Sequence, residues 1–158
     1  MAWIWLFHSA MPHVQRPISL KRMILDTNVI SELARANPEP KVLAWLLTQP
    51  ATSLATTTIT IAEIQAGIAL LPEGKKRNEV HARMLQGLQV LAANTLAFDA
   101  AAAAVYGPLV AKRARQGQPL RGFDGLIAAI ALSRGQAIAT RNVADFDHCG
   151  LHVVNPWE

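Results

Sequence analysis

Short apolar runs alternate with longer amphipathic stretches along most of the chain. The short runs, which we expect to form strands, cover residues 23–25, 53–56, 96–98, 137–140 and 151–154. Between them, apolar side chains recur every three or four positions, which predicts helices over residues 29–36, 41–49, 60–71, 75–91, 99–115 and 123–134. Strands that alternate with helices favour a parallel sheet covered by helices on both faces. We therefore predict an α/β fold of three layers, with a central parallel sheet of about five strands.

Residues 1–22 do not follow this pattern. They begin with the apolar sequence MAWIWLF, which is much shorter than the roughly 20 residues that a membrane-spanning helix needs. The segment also lacks the basic start and the longer apolar stretch of a signal peptide. Met23, a second possible start, stands directly before the first strand. We therefore expect one domain over residues 23–158, an N-terminal extension outside its core over residues 1–22, and no membrane attachment.

The composition fits a single folded domain without a strong overall charge. Of the 158 residues, 51% are hydrophobic and 16% are charged, which supplies enough apolar material for a buried core. The net charge is +4, but three of the 15 basic residues precede position 23, so the remainder has 12 basic residues against 11 acidic ones. Attraction to nucleic acid must therefore depend on local basic patches.

Cys149 is the single cysteine of the sequence. A lone thiol excludes an internal disulfide and a cysteine-rich zinc site. It suits the reducing conditions of the cytosol, so we expect a cytoplasmic protein. His148 and Cys149 have no second His–Cys pair nearby, and we interpret both as structural. Trp45 and Trp157 are interpreted as core or interface residues.

Four acidic residues occupy positions that a parallel sheet would bring together. Asp26 ends the first strand, Asp145 follows the fourth, and Asp124 and Glu63 stand near the starts of helices. Strand ends and helix starts meet at one edge of such a sheet, where ligands bind. Carboxylates gathered there would raise one another's pKa unless a cation offset their charge. Mg²⁺ prefers oxygen ligands, so the pattern favours a divalent-metal site.

Each of these carboxylates also has an ordinary structural interpretation. A threonine three positions before Glu63 matches a capping box, in which the glutamate would bond back to the helix start. Asp26 could cap the first helix, Asp124 could favour the positive end of a helix dipole, and Asp145 could be a loop carboxylate. Asp99, which precedes a run of alanines, is interpreted as a helix cap only.

Four stretches of the sequence resemble, in order, the four motifs of PIN-domain proteins. They are MILDTNVISE at 23–32, TIAEI at 60–64 together with Gly67, GFDGLIAA at 122–129, and ATRNVADF at 139–146. The resemblance covers residues 23–156. One motif alone would be weak, whereas four in order are highly specific. Among PIN-domain proteins, the chain resembles in particular the VapC and FitB toxins of bacterial toxin–antitoxin pairs.

The resemblance implies a PIN-like α/β/α domain that acts as a Mg²⁺-dependent endoribonuclease toxin. It carries Asp26, Glu63, Asp124 and Asp145 over as the catalytic and metal-binding residues, for Mg²⁺ or Mn²⁺. Cleavage of the RNA phosphodiester bond would then use a metal-activated water. Asp26 and Asp124 are expected to bind the metal directly, and Glu63 to bind it through water or to act as the general base.

The fourth motif departs from the pattern of many relatives. Those relatives have an acid two residues after the threonine, where this chain has Asn142. Here the carboxylate comes three residues later, at Asp145, as in the FitB-like members. We expect Thr140 and Asn28 to support the site through hydrogen bonds.

An RNA substrate also needs basic side chains. Four of them stand shortly before the third motif: Lys112, Arg113, Arg115 and Arg121. They would either hold the RNA backbone or form the solvated end of a helix. Arg134 and Arg141 are weaker candidates for the same contact.

The resemblance further implies a homodimer that pairs with a small DNA-binding antitoxin in a toxin–antitoxin hetero-oligomer. A segment of the antitoxin would be expected to enter the active groove. Apolar helices in the N-terminal half, which include Leu43 and Leu46, could bind such a partner or a second copy of the chain.

Two other functions compete with the nuclease. The chain could be a non-catalytic, antitoxin-dependent partner that binds nucleic acid or has a regulatory role. The complete set of four acids argues against such a loss of activity. It could also be a phosphatase or phospho-acceptor that uses Asp26. Such a protein would be expected to have a second aspartate at position 28, where this chain has Asn28, and a lysine near the fourth strand, where this chain has none.

Overall fold

The computed structural model describes residues 22–120 and 122–158. The strands are β1 (Met23–Leu25), β2 (Leu54–Thr57), β3 (Thr95–Leu96), β4 (Ala137–Ala139) and β5 (Val153–Val154). The helices are α1 (Thr27–Leu33), α2 (Pro40–Leu47), α3 (Thr58–Ala69), α4 (Lys75–Leu91), α5 (Ala100–Arg115), α6 (Asp124–Arg134) and α7 (Val143–Phe146). The expectation for the N-terminal extension falls outside the described residues, apart from Arg22, which is exposed.

The five strands form one sheet in the order β3-β2-β1-β4-β5, and every pair is parallel. This confirms the predicted parallel sheet. The chain adds β2 and β3 on one side of β1 and β4 and β5 on the other. The connections therefore diverge beside the carboxyl end of β1, which is where open sheets of this kind form a ligand crevice.

Helices cover both faces of the sheet because successive strand residues point to opposite sides. Ile24 and Ile138 pack with residues of α5 and α6 in one core cluster. The next residues of the same strands, Leu25 and Ala139, pack with residues of α1, α2, α3 and α4 in a second cluster. The α/β/α arrangement of three layers is therefore confirmed.

The observed elements depart from the predicted ones mainly at their ends. The helix over Lys75–Leu91 has the predicted bounds, whereas α3 begins two residues early, at Thr58. The four-residue helix α7 was not predicted, because one turn is too short to show a hydrophobic period. No helix in the described part of the chain is long and apolar enough to cross a membrane.

Candidate metal centre

Asp26 lies at the carboxyl end of β1 and is almost completely buried, with 4% of its surface exposed. Its Oδ1 accepts a 2.7 Å hydrogen bond from the backbone N–H of Thr27, so it caps α1 as one interpretation expected. Its Oδ2 accepts hydrogen bonds of 2.7 Å from Asn28 Nδ2 and from Thr140 Oγ1. Burial raises the pKa of Asp26, while the Thr140 hydroxyl and the Thr27 N–H oppose that rise. The donors around Asp26 therefore fix both of its oxygens.

Asn28 and Thr140 join the ends of β1 and β4 around this carboxylate. Asn28 Nδ2 also donates to Thr140 Oγ1 at 2.9 Å, and Asn28 Oδ1 accepts from the backbone N–H of Arg141 at 3.1 Å. Thr140 Oγ1 accepts a further 3.0 Å hydrogen bond from the N–H of Asn142. The hydrogen bonds expected of Asn28 and Thr140 are thus present, and both residues orient Asp26.

Glu63 does not cap its helix, so the capping-box interpretation is wrong. Helix α3 begins after Thr57, whose Oγ1 accepts the capping hydrogen bond from the N–H of Thr60 at 2.9 Å. Glu63 therefore stands in the second turn, beyond reach of the helix start. Its Oε2 instead accepts a 2.5 Å hydrogen bond from the hydroxyl of Thr27. This bond points the carboxylate towards the start of α1, next to Asp26.

Asp124 is the first residue of α6 and makes no side-chain capping bond; Phe123 occupies the cap position. Its pKa is raised to about 6, mainly by burial and then by the negative charges of Asp26, Asp145 and Glu63. Charge coupling of this kind requires the four carboxylates to lie near one another in partly desolvated surroundings.

The position of Asp124 depends on close packing between α5 and α6. Gly125, the next residue, is buried, and a Cβ atom there would lie 3.2 Å from Tyr106 and 3.3 Å from Leu120. These distances are shorter than most Cβ contacts, so a side chain at this position would require its neighbours to shift by a few tenths of an ångström. The glycine therefore allows tight packing directly beside Asp124.

Asp145 lies in α7 and is exposed. Within residues 22–120 and 122–158, its side chain makes no hydrogen bond of the kind that fixes Asp26, and its negative charge raises the pKa of Asp124. Asn142 precedes α7, and its side chain makes no capping bond. The loop that follows β4 therefore brings the Asp145 carboxylate to the same edge of the sheet as the other three acids.

These carboxylates form a loose cluster. Among residues 22–120 and 122–158, no three His, Cys, Asp or Glu side chains lie close enough together to bind one ion directly. Mg²⁺ usually keeps several waters and takes only one or two protein carboxylates. Carboxylate oxygens that lie near one another, with the pKa raised at Asp26 and Asp124, suit an ion held partly through water, so the residues fit such an ion.

One of the basic residues near the third motif, Arg113, has a different role from those the sequence indicated. Arg113 is buried, with 4% of its surface exposed, and its guanidinium donates to Gln118 Oε1 at 2.9 Å and to the carbonyl of Asp147. Both interpretations of Arg113, as an RNA contact and as a solvated helix end, are therefore wrong. Lys112 and Arg115 are exposed, whereas Arg121 lies outside the described residues.

Arg113 instead connects two segments of the chain that lie next to acids of the cluster. Gln118 belongs to the loop between α5 and α6 that leads to Asp124, and Asp147 stands two residues after Asp145. The spacing of Ala102, Leu109 and Arg113 along α5 puts them on one buried face, and this signal was available in the sequence. Arg134, a weaker candidate for an RNA contact, forms an ion pair of 2.8 Å with Asp99. Asp99 also caps α5, as expected.

Sequence reasoning missed one contact at this edge of the sheet. The guanidinium of Arg141 lies 5.3 Å from the ring centroid of Trp157. Trp157 is half-buried and packs against the core cluster on the α1–α4 side, which agrees with its interpretation as a core residue. The signal that could have found the pair is topological, because the two residues follow adjacent parallel strands, β4 and β5.

Comparisons with known proteins show the family to which the chain belongs. The sequence profile of the PIN domain family matches residues 23–149. VapC ribonuclease Y4jK of Sinorhizobium fredii is 41% identical over 86% of this chain and 98% of its own length. Toxin FitB of Neisseria gonorrhoeae is 38% identical over 85% of this chain and 98% of its own length. The solved structure of FitAB bound to the IR36 DNA fragment contains a chain that is 39% identical, with a TM-score of 0.79 over 86% of this chain and 96% of that one. The chain therefore belongs to the PIN domain family and is of the VapC/FitB type.

Proposed function

We propose that this protein is a Mg²⁺-dependent endoribonuclease toxin of a toxin–antitoxin module. The observation that carries the proposal is the position of Asp26, Glu63, Asp124 and Asp145 at the carboxyl edge of a PIN-domain sheet. Burial and the charges of the other three acids raise the pKa of Asp124 there, which supports the proposal. Relatives support the activity, because one is named a VapC ribonuclease and another a FitB toxin. We infer RNA as the substrate, and a toxin as the biological role, from the names of these relatives.

Each of the four acids has a role that follows from its surroundings. Asp26, whose oxygens are fixed by Thr140 and its neighbours, and Asp124 would hold the metal, and Asp145 would contribute through a bound water. A bound Mg²⁺ or Mn²⁺ would lower the pKa of a bound water and offset charge on the scissile phosphate. Glu63 has one oxygen held by Thr27, so its other oxygen, Oε1, would orient the attacking water and accept its proton.

We propose that the chain acts with a DNA-binding antitoxin and as a homodimer. The structure that resembles it contains FitAB on a DNA fragment. The chain also exposes large apolar side chains that a partner would cover: Leu47 is 88% exposed, Leu70 is 85% exposed and Val90 is 67% exposed. Residues 23–158 would form this domain, with residues 1–22 as an extension to it, and the protein would act in the cytoplasm, where its RNA substrates are.

A non-catalytic role, as an antitoxin-dependent partner that binds nucleic acid, makes a different prediction. The purified chain would then bind RNA without cutting it, with or without metal. The test is incubation with a pool of cellular RNAs in Mg²⁺ or in EDTA, followed by mapping of the cut ends. Discrete new ends in Mg²⁺ alone support the nuclease. Cleavage that persists in EDTA contradicts the metal mechanism, and intact RNA in both conditions supports the binding role.

A further inference from the structure

Arg141 stands directly beside the hydrogen-bond network of the acidic cluster. It follows Thr140, whose hydroxyl donates to Asp26 Oδ2 at 2.7 Å, and its own backbone N–H donates to Asn28 Oδ1 at 3.1 Å. The second of these bonds fixes the backbone of Arg141 at the carboxyl edge of β4. The side chain of Arg141 therefore begins one residue after Thr140, whose hydroxyl holds Asp26.

The guanidinium of Arg141 has no acidic or carbonyl partner in the part of the chain that the structure describes. The other arginines shown in contacts do have one: Arg134 pairs with Asp99, Arg35 with Glu32, and Arg113 bonds the carbonyl of Asp147. Arg141 is exposed and lies over the ring of Trp157 instead. A guanidinium held by an aromatic face keeps its N–H donors available to an incoming anion.

Trp157 is well placed to hold that guanidinium. One side of the residue packs against the core cluster on the α1–α4 side of the sheet. Its backbone N–H donates to Asn155 Oδ1 at 3.1 Å, and Asn155 Nδ2 donates to Glu158 Oε1 at 2.8 Å. The turn after β5 is thus closed by its own hydrogen bonds, and the indole has a fixed position from which to stack on Arg141.

The charge at this edge requires a cationic side chain if RNA is to approach. Asp26, Glu63, Asp124 and Asp145 repel a phosphodiester, and beyond the reach of a bound metal their charge must be offset by the protein. A planar guanidinium can offer two parallel N–H groups to one phosphate, which a lysine cannot. Arg141 is the arginine that the structure puts at this edge with its donors unused by the described residues.

From this juxtaposition we propose that Arg141 binds a backbone phosphate of the RNA at the rim of the acidic site, and that Trp157 is the positioning residue that holds its guanidinium. The proposal rests on the proposed function, since it takes RNA as the ligand. It assigns Trp157 a role through Arg141 and not as a platform for a nucleobase. The two roles of Trp157 are separable by experiment.

The test measures RNA binding apart from cleavage. A fluorescein-labelled single-stranded RNA of mixed sequence is titrated with Asp124→Asn protein in EDTA, and its anisotropy is followed at several salt concentrations. In this background we expect Arg141→Ala to weaken binding about fivefold to tenfold and to reduce the slope of log K against log salt by about 0.7, the value for one phosphate contact on a single strand. Arg141→Lys should keep the slope and weaken binding less.

A matched control and a double-mutant cycle complete the design. Arg83→Ala removes an arginine whose Nε bonds a carbonyl of its own helix, and it should leave both affinity and slope unchanged. Trp157→Leu should weaken binding about threefold when Arg141 is present and have almost no effect when Arg141 is alanine. Trp157→Phe, which keeps an aromatic face, should restore most of the affinity and guards against a folding defect in the leucine variant.

The results that would overturn the proposal are distinct from those that would overturn the nuclease. An unchanged salt slope in Arg141→Ala, or no RNA binding by the parent protein, removes the phosphate contact. Additive effects of Trp157→Leu and Arg141→Ala would assign Trp157 to a base and remove its positioning role. Failure of the wild-type chain to cut RNA in Mg²⁺ would overturn the nuclease and leave these binding results to be judged separately.

Discussion

The hydroxyl of Thr27 donates a 2.5 Å hydrogen bond to Oε2 of Glu63, across 36 positions of sequence. Thr27 is the first residue of α1, and Glu63 lies in the second turn of α3. The same threonine donates its backbone N–H to Asp26 Oδ1. One residue therefore sets the orientation of two of the four acids, through its hydroxyl for one and its backbone for the other.

Thr27→Val tests this arrangement, because valine has the shape of threonine without its hydroxyl. Glu63 would lose its donor, and we expect a decrease of about 10-fold to 100-fold in RNA cleavage, the range for groups that orient metal-site residues. The free energy of unfolding should fall by about 1 kcal/mol. Thr27→Ser keeps the hydroxyl and should retain most of the activity. Equal cleavage rates for the wild type and Thr27→Val would show that Glu63 needs no such support.

The burial of Asp124, together with its repulsion by the other acids, should make the metal-free protein less stable as pH rises. The native state holds a proton on Asp124 up to about pH 6, whereas the unfolded chain releases it at the ordinary aspartate pKa of 3.8. The native state thus binds more protons between these values, so the free energy of unfolding falls as pH rises from 3.8 to about 6 and stays lower above that pH.

Asp124→Asn removes this repulsion. Melting in EDTA at pH 7.5 should show the variant to be more stable than the wild type by about 1 kcal/mol, a figure reduced for the partial exposure of the side chain. Added Mg²⁺ should raise the melting temperature of the wild type and leave that of the variant almost unchanged. The exposed Glu79 serves as a control, and Glu79→Gln should behave like the wild type in both conditions. A less stable Asp124→Asn protein would contradict the charge coupling.

Arg113 should contribute to stability and not to RNA binding, because its buried guanidinium connects Gln118 to the carbonyl of Asp147. Arg113→Met keeps much of the volume and removes the donors, and we expect it to cost about 1–2 kcal/mol in urea unfolding. Arg115→Met, at an exposed position of the same helix, should change the free energy of unfolding by less than about 0.5 kcal/mol. Unchanged stability together with weaker RNA binding in Arg113→Met would restore the phosphate interpretation.

Gly125 offers a test of the packing that positions Asp124. In Gly125→Ala the new Cβ would lie 3.2 Å from Tyr106 and 3.3 Å from Leu120, so these side chains and the start of α6 must give by a few tenths of an ångström. We expect a cost of about 1 kcal/mol and a clear loss of cleavage, since the shift moves the adjacent carboxylate. Gly87→Ala is the matched control, because nothing lies within 4 Å of its Cβ and alanine favours the helix. That control should gain about 0.5–1 kcal/mol in stability with full activity.

Much of the fold could be predicted because local patterns and topology agree. Apolar runs and periodic stretches predicted all five strands and six of the seven helices. The parallel direction of the strands follows from their alternation with helices. The start of α3 was ambiguous for a physical reason. Three consecutive threonines, at 56–58, and Thr60 can all cap a helix, and only the structure shows that Thr57 does so. Once the helix starts there, Glu63 is released for the contact with Thr27.

The site was harder to derive than the fold, since its details depend on contacts between distant residues. The gathering of carboxylates at one sheet edge follows from topology, and the charge coupling of Asp124 agrees with it. Arg113 was misjudged because a basic residue near a helix end is usually solvated, although its spacing from Leu109 puts it on the buried face. The stacking of Arg141 on Trp157 depends on the exact register of β4 and β5, which a single sequence does not supply.

The measurement that tests the central claim most directly is cleavage of one mapped RNA by four proteins under single-turnover conditions. These are the wild type, Asp26→Asn, Asp124→Asn and Glu79→Gln, each assayed in Mg²⁺ and in EDTA after its fold has been checked by circular dichroism. We predict that the wild type and Glu79→Gln cut the RNA at the same site and rate in Mg²⁺ and do not cut it in EDTA. The two aspartate variants should be slower by at least about 100-fold. Equal rates for Asp124→Asn and the wild type, or cleavage that survives EDTA, would contradict an acidic metal centre as the source of the activity.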